Sequence, residues 1–118
     1  MKFYEFLFLA ALVLSGCTDP GSQFGAPISH GEVTAIADIF DQPDVYDEKI
    51  VTLKGVVDTQ DPGGHWFYMG DKDARVYVDL SNAGFTLSPV IGKTVLAEGT
   101  VKVEFGVPSL YARGIEVP

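Results

Sequence analysis

The sequence predicts a mainly β fold, a small barrel of five strands preceded by one short helix. From Lys49 to the C-terminus, short segments of alternating apolar and polar residues are separated by turn-forming residues. Two segments, residues 49–57 and residues 93–101, resemble each other, since each opens with lysine and carries glycine at its seventh position. Glycine inside a strand commonly marks a bend or bulge, and two long bent strands suit a small barrel.

The predicted helix lies between residues 29 and 41. Ser29 fits the N-cap of a capping box, with Glu32 three residues later. We expect the helix to end near Asp41, because Pro43 follows. Its predicted apolar stripe contains Val33, Ile36, Ala37 and Phe40.

The second and third strands form a predicted hairpin, residues 65–69 and 75–80 around a polar turn. Side chains alternate between the two faces of a strand, so Phe67 and Met69 should meet the valines of the returning strand in the core. A register shift of one residue would exchange the faces. In the predicted register, three aromatic side chains share the outer face: Trp66, Tyr68 and Tyr77.

Two interpretations of this aromatic face are open. The rings can pack under a loop or under the N-terminal helix as an extension of the core, which is the commoner fate of large aromatic side chains. Alternatively, they form a stacking platform for a ligand with a flat face.

The last strand is predicted at residues 110–117, after a connection at residues 104–109. Five strands, with a bent first strand and a similar fourth strand, suggest an OB-fold, which is a partly open Greek-key barrel. Such barrels bind ligands on the face of their second and third strands, framed by the loops after the first and fourth strands. The aromatic face occupies that position in this chain.

The N-terminus has the features of an export signal. A basic start precedes an apolar segment at residues 6–14, which is too short to span a bilayer. The motif Leu14-Ser15-Gly16-Cys17 resembles the lipobox of bacterial lipoproteins. That resemblance implies cleavage before Cys17 and lipidation of its thiol. Cys17 is the only cysteine, so no disulfide is expected.

We therefore expect three parts: a cleaved signal peptide at residues 1–16, lipidated Cys17 with a flexible tether at residues 17–27, and an OB-fold-like domain at residues 28–118. Acyl chains on Cys17 would hold the protein at a membrane of the bacterial cell envelope. Thr18 carries no acidic retention signal, so in a Gram-negative host the expected address is the periplasmic face of the outer membrane.

The net charge is −8, which repels phosphate backbones. Nucleic acid is therefore not an expected partner. We expect a small ligand or an envelope protein instead, in addition to the membrane.

Several short motifs resemble one known family. They are the entry Phe24-Gly25-Ala26-Pro27, the helix, the pattern Val-x-Leu-x-Gly-x-Val at residues 51–57, Gly-x-Trp at residues 64–66, and Gly92-Lys93-Thr94-Val95. Together they resemble a family of small exported bacterial OB-fold domains of unknown function. Many members have a Cys-x-x-x-Gly-Cys-Trp loop, in which Gln60 and His65 replace the cysteines here. The resemblance implies the fold and the address rather than a chemistry.

Metal binding is an alternative that rests on one loop. His65 could bind a divalent metal together with Asp58 or Asp61, but two or three ligands without a second histidine make a poor transition-metal site. No cofactor is otherwise expected. The serines and histidines show no spacing typical of a catalytic triad, and no enzymatic activity is predicted.

The predicted function is that of a lipid-anchored binding module. Its candidate ligand-binding residues are Trp66, Tyr68, Tyr77 and His65. The alternatives are a metal-handling periplasmic protein that uses His65 and loop carboxylates, and a structural or accessory lipoprotein that docks on an envelope protein complex. A ligand site requires a concave aromatic surface, whereas a docking protein requires a flatter apolar patch.

Overall fold

The computed structural model describes residues 21–118, so the predicted signal peptide and Cys17 lie outside the described residues. The elements are β1 (Ser22–Gly25), α1 (Ile36–Asp41), α2 (Pro43–Tyr46), β2 (Ile50–Gln60), β3 (Trp66–Gly70), β4 (Arg75–Asp79), β5 (Thr94–Glu104) and β6 (Val107–Val117). Strands β2 to β6 close into a barrel, and β1 is added beside β6. The predicted mainly β, five-stranded OB-fold barrel is confirmed.

The long strands β2 and β5 each pair with two neighbours, as the barrel requires. β2 pairs with β5 and then with β3, and β5 pairs with β2 and β6. The β5–β6 register shifts at Gly99, where a Cβ atom would overlap the carbonyl oxygen of Tyr111. In β2 the shift lies between Val57 and Thr59, two residues beyond Gly55. A short parallel pairing of β4 with β6 closes the barrel.

The barrel interior contains the predicted inner face of the β3–β4 hairpin. Phe67 pairs with Val78, and Met69 pairs with Val76, and all four side chains are completely buried. Burial of such side chains contributes about 1.5–3 kcal/mol each. Ile36 and Ile39 of α1 extend this core. The predicted register of the hairpin is therefore correct.

The predicted start of the helix is wrong. The helix begins at Ile36, and Ser29 donates hydrogen bonds to the carboxylate of Glu98 from its hydroxyl (2.8 Å) and its backbone N–H (3.4 Å). The capping box does not form because Ser29 has this distant partner. Two side chains of the predicted stripe, Val33 and Phe40, are 47% and 37% exposed. The short helix α2, which starts at Pro43, was not predicted.

Part of the predicted tether is also corrected. Ser22–Gly25 forms a strand that pairs antiparallel with the end of β6. Residues 26–34, which we call the strap, then cross the outside of the barrel. The strap is held by backbone hydrogen bonds from Ala26 to Arg113 and from Thr34 to Thr52, both 2.8 Å. Within the described part of the chain, no helix is long and apolar enough to cross a membrane.

Candidate functional site

Three aromatic rings form a cluster on the outer face of β3 and β4. Tyr68 pairs directly with Tyr77, and their ring centroids are 5.3 Å apart. The ring of Trp66 lies 6.1 Å from that of Tyr68 and 6.0 Å from that of Tyr77. All three side chains are half-buried, and these distances are typical of favourable aromatic pairs. The structure therefore brings together the three predicted aromatic residues.

An ion pair covers part of this aromatic cluster. The guanidinium carbon of Arg75 lies 4.0 Å from the ring centroid of Tyr68, which is cation–π geometry. Arg75 also donates hydrogen bonds to both carboxylate oxygens of Asp58, each at 2.9 Å. These bonds hold the pKa of the Asp58 carboxyl below its ordinary value. One side of Tyr68 is thus already occupied, and the charge of Arg75 is already neutralised.

The opposite edge of the cluster carries a carboxylate. The Tyr77 hydroxyl donates a hydrogen bond to Asp79 at 3.1 Å. Burial and the nearby Asp79 charge raise the pKa of Tyr77 to about 12. Burial also acts to raise the pKa of Asp79, but hydrogen bonds from Ser81 and Tyr77 outweigh it, and this pKa lies below its ordinary value. At neutral pH, Tyr77 is thus a neutral donor and Asp79 is an anion.

A cleft separates the aromatic cluster from the tip of the β5–β6 hairpin. Its volume is about 350 Å³, at the small end of the range for ligand pockets. Glu104 contributes a carboxylate to the lining of this cleft, whereas Asp79 reaches it only through its hydrogen bond to Tyr77. Trp66 does not line the cleft, and it supports the cluster from behind Tyr77. The aromatic and apolar lining consists of Phe40, Tyr68, Tyr77, Phe105, Val107 and Pro108.

Phe105 is unusual in two respects. Its side chain is completely exposed, with a relative accessibility of 103%. Its φ angle is 54°, in the left-handed region, and φ of the following Gly106 is 79°. Two-residue hairpin turns of this kind favour Asn-Gly or Gly-Gly, and a bulky side chain there is strained. Phe105 therefore occupies a turn position at which asparagine or glycine would make the hairpin more stable. The sequence predicts that the loop at residues 105–109 frames the binding face, but it does not single out Phe105 or Phe40 as ligand-binding residues.

Of the three predicted metal ligands, His65 and Asp61 lie together, whereas Asp58 has another partner. The Nδ1 atom of His65 lies 2.9 Å from Asp61 Oδ2, and the backbone N–H of His65 donates to the same oxygen. The backbone hydrogen bond of His65, followed by that of its side chain, lowers the pKa of Asp61. Asp58 instead pairs with Arg75. Residues 21–118 contain no group of three or more His, Cys, Asp or Glu side chains that could hold a metal. His65 also lies outside the lining of the cleft.

The geometry defines an OB-fold with an aromatic outer face, and comparisons with solved structures agree with the fold. The hypothetical protein YgiW from E. coli superimposes with a TM-score of 0.57 at 21% identity, covering 80% of this chain and 97% of that protein. The telomere capping protein Ten1 from Saccharomyces pombe gives a TM-score of 0.54 at 16% identity, covering 74% of this chain and 80% of Ten1. Identities this low support the fold alone. No protein-family model and no curated protein matches the sequence.

Proposed function

We propose that this protein is a binding module that holds a ligand or a partner segment in the cleft between the aromatic cluster and the β5–β6 hairpin tip. The observation that carries the proposal is the open, aromatic-lined cleft at the position where OB-folds bind ligands. YgiW, a hypothetical protein, and Ten1, a telomere capping protein, support the fold on which this proposal rests.

The charges at the cleft restrict the ligand. Asp79 and Glu104 contribute negative charge, whereas the positive charge of Arg75 is neutralised by Asp58. A polyanion would meet repulsion both at this site and from the net charge of −8. The ligand that fits is neutral or cationic and has a flat apolar face, such as a sugar ring or an apolar peptide side chain flanked by a basic residue.

We propose no catalytic role. The polar side chains at the cluster form hydrogen-bonded pairs, Arg75 with Asp58 and Tyr77 with Asp79. Such pairs fix the shape of a surface. No nucleophile paired with a general base lies among the residues that line the cleft.

For the location, we propose a lipid anchor at Cys17 and a place in the bacterial envelope, on the resemblance of residues 14–17 to a lipobox. Metabolic labelling with a palmitate analogue should mark the protein, and Cys17→Ser should abolish the label. Labelling that persists in Cys17→Ser would overturn the anchor without affecting the proposed binding site.

Binding can be measured with the single tryptophan, because Trp66 lies in the cluster. We expect a saccharide or a short basic–aromatic peptide to change its fluorescence in a saturable manner. Tyr77→Ala should weaken binding at least ten-fold, whereas Tyr46→Ala on α2, which lies outside the lining of the cleft, serves as the matched control. An undiminished response in Tyr77→Ala would contradict the proposed site.

Docking on an envelope protein is a second candidate, and the exposed Phe105 favours it. A structure of the Stn1–Ten1 complex of S. pombe has a similar fold, with a TM-score of 0.51 at 16% identity, covering 77% of this chain and 81% of the matched chain. A module for small ligands should respond to monosaccharides or short peptides. A docking module should respond only to a folded partner, and Phe105→Ala should weaken that contact more than Tyr77→Ala does.

A further inference from the structure

Three lysines have no ion pair with any described residue, and one of them, Lys49, donates a hydrogen bond to the carbonyl oxygen of Val45 at 3.0 Å instead. Four of the other basic side chains are paired, namely Lys72, Arg75, Lys102 and Arg113. The other two, Lys54 and Lys93, line two cavities that share Thr94. Lys54 is two residues from Val56 on β2, Val56 pairs with Thr94 of β5, and Lys93 directly precedes Thr94. In a domain of strongly negative net charge, these two lysines place positive charge on this part of the surface.

The surface beside these lysines is apolar. Val33 and Val56 are 47% and 46% exposed. Together with Lys54 and Thr94 they line a mostly apolar cavity of about 460 Å³. Asp71 is the acidic side chain on its wall, and its carboxylate accepts backbone hydrogen bonds from Asp73 and Ala74, at 2.8 and 3.0 Å. Exposed apolar side chains flanked by free lysines have the chemistry of a phospholipid surface, with acyl chains below a layer of phosphates.

The same side of the barrel receives the N-terminal chain. Gly21 and Ser22 line an adjoining cavity with Lys93 and Thr94. Ser22 is the fifth residue after Cys17, so this stretch of chain spans at most about 18 Å. A bilayer attached at Cys17 is therefore close to Lys93 and Thr94.

We propose that Val33, Lys54, Val56, Lys93 and Thr94 form a membrane-facing patch, in which the lysines contact phospholipid phosphates and the valines contact the bilayer interface. This inference rests on the proposed anchor for its geometry. It also orients the binding cleft. β5 runs from Thr94 in the patch to Glu104 in the cleft. Its length places the patch and the cleft up to about 33 Å apart. The hairpin tip then points away from the bilayer, where a ligand or partner can reach it.

The test moves the single tryptophan. In a Trp66→Phe background of the full chain, Val56→Trp and Val33→Trp report on the patch, and Phe105→Trp reports on the hairpin tip. The vesicles contain phosphatidylethanolamine with phosphatidylglycerol as the minor lipid. The protein is anchored in them either through the lipid that the cell adds to Cys17 or through a maleimide lipid coupled to the Cys17 thiol. Brominated acyl chains should quench tryptophan at positions 56 and 33 and leave position 105 unquenched.

Charge variants test the phosphate contact. Each lysine near an anionic surface changes the contact equilibrium about five-fold. Lys54→Glu and Lys93→Glu should therefore each reduce quenching at position 56, whereas Lys49→Glu should not.

Three outcomes overturn the patch: quenching at position 105 but not at 56, no quenching at 56 and 33 in vesicle-bound protein, or protection of position 56 by an added acidic protein and not by lipid. A chain that cells leave without lipid contradicts only the anchor, because the chemically coupled chain still tests the patch.

Discussion

Two outer faces of this barrel differ in how they are covered. On β2, β5 and β6 the strap lies over the strands, and the carboxylate of Glu98 is only 4% exposed beneath it. On β3 and β4 an open cleft borders the strands, and the rings of the aromatic cluster are partly exposed. The chain thus covers a polar face and leaves an aromatic face open.

The difference separates stability from binding. Beneath the strap, the carboxylate of Glu98 accepts hydrogen bonds of 2.8 Å from the hydroxyl groups of Ser29 and Thr52. The guanidinium of Arg113 lies 3.5 Å from the same carboxylate. Burial of a carboxylate is costly without such partners, so this face is built to be closed. The open face leaves three aromatic rings partly exposed beside the fully exposed Phe105, which folding alone would not favour. An aromatic face left open in this way is the expected arrangement for a binding surface.

The largest expected effect comes from breaking the covered face. Glu98→Ala removes the acceptor of buried or partly buried donors on Ser29 and Thr52, and we expect a loss of about 3 kcal/mol in the free energy of unfolding. Guanidinium denaturation measures it. Glu116→Ala, which breaks the exposed pair with His30, is the matched control and should cost less than about 1 kcal/mol. Equal losses would show that the strap is not held by Glu98.

The same carboxylate predicts a pH dependence. Burial acts to raise the pKa of Glu98, but hydrogen bonds from Thr52, Ser29 and Arg113 leave it below the ordinary 4.5. A lowered folded pKa gives stability that is present above the unfolded value and is lost as the pH falls through the folded value. Between about pH 6 and about pH 3, wild type should lose more stability than Glu98→Gln. Parallel curves would contradict this assignment, since other carboxylates contribute to both proteins.

On the open face, one substitution should raise the stability of the protein and weaken its binding. Phe105→Asn relieves the strain of a bulky residue with positive φ, and we expect a gain of about 1 kcal/mol in stability. Because the change removes a wall of the cleft, ligand or partner binding should weaken about ten-fold, which corresponds to 1.4 kcal/mol. Thermal unfolding and titration of the same variant measure both effects. A variant that is less stable would indicate that Phe105 serves the fold.

The smallest expected effect concerns Tyr77. The difference in phenolate absorbance between wild type and Tyr77→Phe should titrate near the pKa of about 12 instead of the ordinary 10.0. Because this pKa is raised in the folded state, its contribution to stability is complete below the unfolded value and is lost as the pH rises through 12. A difference that titrates at the ordinary value would mean that Tyr77 is neither buried nor hydrogen-bonded to Asp79 in solution.

The barrel and the hairpin could be predicted because their signals are local. Within residues 65–80, the alternation of apolar and polar residues determines which side chains share a face of the hairpin. The register follows because it buries Phe67 together with Val78. The position of the aromatic cluster follows from that register.

Contacts between distant segments could not be predicted. Ser29 has the sequence of a helix cap, but its partner Glu98 lies 69 residues away. β1 has no alternating pattern, and its pairing with β6 depends on the finished barrel. Pro43 ends one helix and begins another, and both are common positions for proline.

The same limit applies to the binding site. Arg75 and Asp58 are 17 residues apart, and only the barrel brings them together over Tyr68. One signal was present in the sequence, because Phe105-Gly106 stands between two strands where a turn favours Asn-Gly. Such a bulky residue at a tight turn is a reason to look for a function.

A titration of the ¹⁵N-labelled protein with saccharides and basic–aromatic peptides, followed by amide chemical shifts, tests the central claim most directly. The account predicts that a bound ligand shifts amides of β3, of β4 and of residues 104–109, and leaves the strap unchanged. Shifts concentrated in residues 26–34, or none with any of these ligands, would contradict the claim that the open aromatic face is the binding site.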